Sequence, residues 1–68
     1  MNEIIFIVEE AVEGGLIAKA VGTSIVTEAD DWPKLQAQVR DAVRCHYEPA
    51  NIPKIIRLHF IREETIAA

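Results

Sequence analysis

Residues 31–48 constrain the fold of this chain most, because no other stretch is long and periodic enough for a helix of several turns. Asp31 is the predicted N-cap, since its carboxylate can accept hydrogen bonds from the free N–H groups of the first turn. Pro33 is tolerated within that turn, and Pro49 ends the helix. Side chains at i, i+3, i+4 spacing predict one buried helix face: Trp32, Leu35, Val39, Ala42, Val43 and His46.

The rest of the chain is predicted to form short strands over residues 2–10, 16–21, 24–28 and 54–62. Tight turns containing glycine separate the first three, which therefore form an antiparallel meander. We predict a single α+β domain over residues 1–68. Its antiparallel sheet has the order β-β-β-α-β, and the helix packs on one face.

A single helix can cover only one face of this sheet. The first strand is apolar on both faces, and half of all residues in the chain are hydrophobic. An exposed apolar patch on a protein of this size marks an interface, so we expect a homodimer or higher homo-oligomer. The expected interface residues lie on the open face or at an edge: Ile5, Ile7, Ile17, Val21, Ile55 and Ile61.

The net charge of -4 is unevenly distributed along the chain. Residues 1–31 carry seven acidic side chains and one basic one, whereas residues 32–68 carry four acidic and six basic ones. An acidic half repels nucleic acid and attracts a basic partner, although solvated loop and edge charges would give the same pattern. The basic residues are dispersed, so we expect no direct binding of nucleic acid. The expected partner-binding residues are Glu9, Glu10, Glu13, Glu28 and Asp30.

Catalytic motifs are absent from the sequence. Adjacent helix residues point about 100° apart, so Cys45 and His46 do not form a nucleophile–base pair. His46 is instead expected to be packed against the core and hydrogen-bonded to a backbone carbonyl. We expect His59 in a cross-strand polar pair, no enzyme activity, no cofactor and no metal. A carboxylate cluster of the kind that holds Mg²⁺ in nucleases is the minor alternative, drawn from Glu9, Glu10, Asp30 and Asp31.

Location is predicted from what the sequence lacks. One cysteine cannot form an intrachain disulfide framework, and the longest apolar run has five residues, where a membrane-spanning helix needs about 20. Charged residues follow that run directly, unlike the pattern of a signal peptide. A cytoplasmic location with no membrane association is therefore expected.

The segment over residues 2–48 resembles the amino-terminal domain of HicB-type antitoxins. The matching pieces are an apolar strand, the acidic hairpin Glu13-Gly14-Gly15, the pair Val26-Thr27, and the acids Asp30-Asp31 before a helix. The resemblance implies a partial ribonuclease-H-like fold without catalytic function, which binds and blocks a small basic toxin ribonuclease. Family members usually carry a separate DNA-binding part as well. Because only seven residues follow Ile61, we expect this chain to lack such a part.

Three functional hypotheses follow. The first is a HicB-like, non-enzymatic protein-binding module that self-associates and neutralises a small basic toxin. The second is an orphan oligomeric scaffold, or a small-ligand-binding protein of the same fold, with no toxin partner. The third is a metal-dependent nuclease.

Overall fold

Four strands form one sheet, and a single helix packs on one of its faces. The computed structural model describes residues 2–62 and 64–68. Its order confirms the predicted β-β-β-α-β layout of an α+β domain. The elements are β1 (Glu3–Glu10), β2 (Leu16–Ala20), β3 (Val26–Ala29), α1 (Trp32–His46), a 3-10 turn at Pro49–Asn51, and β4 (Ile55–Ile61).

The sheet is mixed, with the strand order β3-β2-β1-β4. β1 pairs antiparallel with β2, and β2 pairs antiparallel with β3, as the tight turns predict. β4, however, pairs parallel to β1, with Glu3 beside Ile55 and Glu9 beside Ile61. The expectation of a wholly antiparallel sheet is therefore wrong for this pair. β3 and β4 run in the same direction, so α1 is a crossover between two parallel strands, a connection that a tight turn cannot make.

The core lies between α1 and the face of the sheet that it covers. Alternation along β1 directs Ile4, Phe6 and Val8 to this face, and neither Phe6 nor Val8 has any exposed surface. The helix contributes three buried side chains at the predicted spacing. The remaining core positions come from β2 and from the loop before β3. The buried hydrophobic core consists of Ile4, Phe6, Val8, Ala18, Ile25, Leu35, Val39 and Val43.

The helix does not cover the sheet evenly. It lies mainly over β2 and β3. Trp32 in its first turn reaches across to β4, where its ring meets the ring of Phe60 edge to face at a centroid distance of 5.6 Å. Phe60 nevertheless keeps 41% of its surface exposed. β4 is therefore less well covered than the central strand beside it.

Hydrogen bonds at its two ends explain where α1 begins and ends. Asp31 is the N-cap, and its Oδ1 accepts a hydrogen bond of 2.9 Å from the backbone N–H of Lys34. At the other end, Tyr47 is extended and donates its N–H to the carbonyl of Val43. The helix thus ends two residues before the predicted position, and Pro49 belongs to the 3-10 turn that follows.

One buried polar atom gives a stability prediction. The hydroxyl of Thr27 is buried on the helix side of β3, and the part of the chain that the structure describes offers it no hydrogen-bond partner. A buried hydroxyl without a partner carries an uncompensated desolvation cost. The isosteric change Thr27→Val should therefore raise the free energy of unfolding by about 1 kcal/mol in urea denaturation.

The matched control for this change is Thr23→Val. The Thr23 hydroxyl oxygen lies 3.2 Å from Nε2 of His46 at an exposed position, so its removal should give no gain in stability. A loss of stability in the Thr27→Val variant would contradict the prediction and would indicate that an ordered water satisfies the hydroxyl.

Candidate functional site

The face of the sheet opposite the helix carries an apolar patch. The strand register places five of the six expected interface residues on this one face, and the hydrogen bond from the Val21 N–H to the Ile5 carbonyl continues the pairing to Val21. Ile5 and Ile7 lie at its centre on β1 and are half-buried by their neighbours. Toward the edges, Val21 is 59% exposed and Ile61 is 53% exposed. The six residues, Ile5, Ile7, Ile17, Val21, Ile55 and Ile61, are called the open-face patch below.

Charged side chains are interleaved with the open-face patch. Lys19 lies beside Ile7, and Glu9 lies between Ile17 and Ile61. Arg57 donates from Nε to Oε1 of Glu3 at 2.6 Å, so these two charges neutralise each other on the sheet surface. The open face is therefore an apolar surface divided by charges, rather than a continuous hydrophobic plane.

Sequence reasoning missed one member of this face. Val26 of β3 is 61% exposed and lies next to Lys19, on the same side as the open-face patch. The signal was present in the alternation of β3, because Val26 and Glu28 necessarily share a face. Which side of the sheet that face lies on depends on the register between β2 and β3, which the sequence does not give.

A second feature is a groove of about 940 Å³ between the β1–β2 turn, the end of β3 and the exposed side of α1. Three of the five expected partner-binding acids, Glu13, Glu28 and Asp30, line it. Asp41 of α1 is a fourth acidic residue of its lining, which the sequence analysis did not single out. This feature is called the acidic groove below.

Two further side chains shape the acidic groove. Lys34 is its one basic lining residue among those described, and its Nζ lies 4.0 Å from Oδ2 of Asp31. Val12 stands fully exposed at the tip of the β1–β2 turn and lines the same groove. On a basic surface, Val12 can contact the aliphatic stems of Lys and Arg side chains, while the acidic residues beside it contact their charged ends.

The other two expected partner-binding acids lie outside the acidic groove. Glu9 and Glu10, at the end of β1, border a separate depression of about 400 Å³ together with Ile61. Oε1 of Glu10 is 3.7 Å from Nε of Arg62, an exposed ion pair. The five predicted acids therefore form two groups, and only the groove group is joined by a carboxylate from the helix.

Cys45 and His46, at the end of α1, lie apart from both features. Cys45 is an exposed free thiol. His46 is exposed as well and contacts the Thr23 hydroxyl, so the expectation of a packed histidine bonded to a backbone carbonyl is wrong. His46 is the last helical residue, and its ring meets Thr23 in the loop between β2 and β3. His59 lies beside Ile7 on the open face rather than in a polar pair.

No cluster of three or more histidine, cysteine or acidic side chains with metal-binding geometry occurs among residues 2–62 and 64–68. In the same described ranges, α1 and the 3-10 turn are both too short and too polar to cross a membrane.

Comparison with known proteins gives two close matches. The chain is 40% identical over 66 residues to a UPF0150 protein of Thermotoga maritima, covering 97% of this chain and 93% of the relative. The chain belongs to the UPF0150 family. A UPF0150 protein of Archaeoglobus fulgidus is 44% identical over 55 residues, covering 81% of this chain and 82% of that relative. No family model and no solved structure matches the chain significantly.

The similarity to the UPF0150 relatives extends over the whole domain. The match to the Thermotoga maritima protein includes nearly every element of the fold, from β1 through β4. The shared unit is therefore the whole α+β domain rather than one motif within it.

Proposed function

We propose that this UPF0150 protein is a non-enzymatic, cytoplasmic protein-binding module of the HicB type. It self-associates and holds a small basic protein, such as a toxin ribonuclease, in the acidic groove. The observation that carries the proposal is a single concave surface lined by acidic residues from the β1–β2 turn, from the end of β3 with the loop after it, and from α1. Direct binding of nucleic acid and association with membranes form no part of this function.

Charge supports a basic partner over other ligands. The acidic groove presents Glu13, Glu28, Asp30 and Asp41 against Lys34 alone among its described lining residues, and Lys34 already has Asp31 as a neighbour. The excess negative charge attracts Lys and Arg side chains and repels phosphate groups. It therefore favours a basic protein surface over RNA or a nucleotide.

Shape supports a macromolecular partner over a small molecule. The groove is open to solvent along the helix and the β1–β2 turn, whereas small-molecule sites enclose most of their ligand. Val12 at the rim supplies an apolar contact of the kind found at protein interfaces. Together these features fit a convex basic surface that rests in the groove.

The proposal predicts a charge-dependent complex. Tagged protein should retain a small basic protein from the lysate of its own organism at low salt, and that protein can be identified by mass spectrometry. The triple variant Glu13→Gln, Asp30→Asn, Asp41→Asn should then bind the purified partner at least about tenfold more weakly in calorimetry, because each carboxylate lost removes a paired charge.

The matched control removes three carboxylates outside the acidic groove, by Glu9→Gln, Glu48→Gln and Glu64→Gln. It changes the net charge equally, so it should affect the association rate but keep most of the affinity. Equal losses in the two variants would place the contact elsewhere. If no small basic protein is retained at low salt, the antitoxin-like function is refuted.

A second candidate function is an oligomeric scaffold with no toxin partner. The open-face patch favours it, because four of the apolar side chains on that face are about half exposed or more: Val21, Val26, Ile55 and Ile61. This candidate predicts an oligomer in the absence of any other protein. Light scattering that shows a stable monomer at micromolar concentration would eliminate it.

A further inference from the structure

The outer edge of β4 is the least protected part of the sheet. β4 is seven residues long, is the terminal strand of the order β3-β2-β1-β4, and carries Ile, Leu and Phe at five positions. The opposite edge strand, β3, has only four residues, and the charge of Arg57 on β4 is already paired with Glu3. Long apolar edges pair with other chains unless charge, proline or a bulge prevents it, so β4 is the edge to which another strand can add.

The hydrogen-bonding pattern identifies which backbone groups of β4 are directed away from β1. The N–H of Ile55 donates to the carbonyl of Asn2 at 3.0 Å, so Ile55 bonds toward the β1 side. Alternate residues of a strand bond to opposite sides. Ile56, Leu58 and Phe60 therefore direct their N–H and C=O groups outward, away from β1.

The same three residues also have incompletely covered side chains. Ile56, Leu58 and Phe60 lie on the helix side of the sheet, beside Ile4, Phe6 and Val8 of β1. Because the helix lies mainly over β2 and β3, they are partly buried or exposed, while their β1 neighbours are buried. A strand added to this edge would complete both the backbone hydrogen bonds and the apolar cover.

We propose that the occupant of this edge is a second copy of the chain, with its β4 antiparallel to the first and a two-fold axis at Leu58. This register places Leu58 opposite Leu58, and Ile56 of each copy opposite Phe60 of the other. Every outward N–H and C=O of these three residues then meets an outward group of the other copy. Two four-stranded sheets become one continuous sheet.

The side chains on the open face are self-complementary in the same register. Ile55 of each copy lies opposite Ile61 of the other, so two exposed members of the open-face patch, at 48% and 53%, cover each other. Arg57 lies opposite His59, and its guanidinium is already held by Glu3. Shifting the register by two residues leaves an outward residue of each copy without a partner.

This assembly rests on the self-association within the proposed function and is independent of the basic partner. The acidic groove lies on the β3 side of the sheet, whereas β4 is at the other edge. A dimer formed through β4 therefore leaves both acidic grooves free.

The backbone test is a chemically synthesised chain with N-methyl-Leu58. N-methylation removes one outward donor and adds a steric block without changing the side chain. The matched control is N-methyl-Glu28, whose N–H is directed outward at the β3 edge because Ala20 donates to Ile25 in the neighbouring pair. Circular dichroism establishes that both chains are folded.

Sedimentation equilibrium measures the mass of the assembly and its dissociation constant. The unmodified chain and N-methyl-Glu28 should sediment at twice the chain mass of 7.6 kDa. N-methyl-Leu58 should dissociate with a Kd at least about tenfold higher, because two central hydrogen bonds are lost in the symmetric dimer. A monomeric unmodified chain would refute self-association altogether. An N-methyl-Leu58 chain that dimerises normally would refute the β4 edge but leave self-association standing.

The register has its own test by charge exchange. Ile55→Glu alone and Ile61→Lys alone should each weaken the dimer, since each places a charge against an isoleucine of the other copy. The double variant places opposite charges face to face in both halves of the dimer, so its Kd should return toward that of the unmodified chain. A double variant that is weaker than either single variant would refute the two-fold register at Leu58.

Discussion

Replacing Phe6 with alanine is expected to remove most of the stability of the fold at 25 °C. Phe6 has no exposed surface and lies on the central strand, between Ala20 of β2 and Leu58 of β4. Truncation of a buried phenylalanine costs about 3–5 kcal/mol through lost burial and the cavity that remains. A domain of this length has a total stability of about 5 kcal/mol, so one substitution removes nearly all of it. Urea denaturation followed by circular dichroism measures the loss.

Phe60→Ala is the matched control, because it removes the same side chain from a partly exposed position on the neighbouring strand. Because 41% of the Phe60 surface is already in water, Phe60→Ala should lower the free energy of unfolding clearly less than Phe6→Ala does at the same protein concentration. Equal losses from the two substitutions would contradict the assignment of the core to the region between β1 and α1.

Gly15→Ala should be the second most damaging change. Gly15 ends the β1–β2 turn with a φ of +82°, which costs a residue with a Cβ about 1–2 kcal/mol. A Cβ built at this position would also lie 2.8 Å from the carbonyl oxygen of Ala29 in β3, and that oxygen belongs to the backbone and cannot rotate away. The two effects together should lower the free energy of unfolding by more than about 2 kcal/mol.

Gly14→Ala separates the two causes. Gly14 has a φ of +100°, but a Cβ there would meet no atom within 4 Å. It should therefore show the cost of the backbone conformation without the steric clash, about 1 kcal/mol by thermal or chemical denaturation. If the two alanine variants are equally stable, the close approach of Gly15 to β3 has no energetic importance.

Local chemistry explains why much of the fold could be predicted from the sequence. The cap at Asp31, the helix face of Leu35, Val39 and Val43, and the two hairpins all depend on residues close together in the chain. Alternation likewise assigned Ile5 and its neighbours to a face opposite the helix before any register was known. For these features, which depend on residues close together in the chain, the prediction is confirmed.

The features that could not be predicted from the sequence depend on contacts between elements far apart in the chain. The direction of β4 depends on where the crossover helix delivers the chain, and nothing in residues 54–62 encodes it. The joining of Glu13 and Asp30 with Asp41 in one groove, and the separation of Glu9 and Glu10 from it, follow from the positions of three elements. The burial of His46 was predicted wrongly because the spacing of residues along a helix does not give the extent of the sheet that the helix covers.

The central position of β1 has a consequence for how the chain reaches its fold during synthesis. β1 is the first strand made, but its parallel neighbour β4 is the last, and their paired residues are separated by the whole of the intervening chain. Contacts of such sequence separation close slowly. Until β4 has been made, a nascent chain can form both hairpins and the helix, yet one side of its most apolar strand has no partner. We therefore expect the insertion of β4 to be the final folding step, and the emerging chain to be most vulnerable to aggregation just before it.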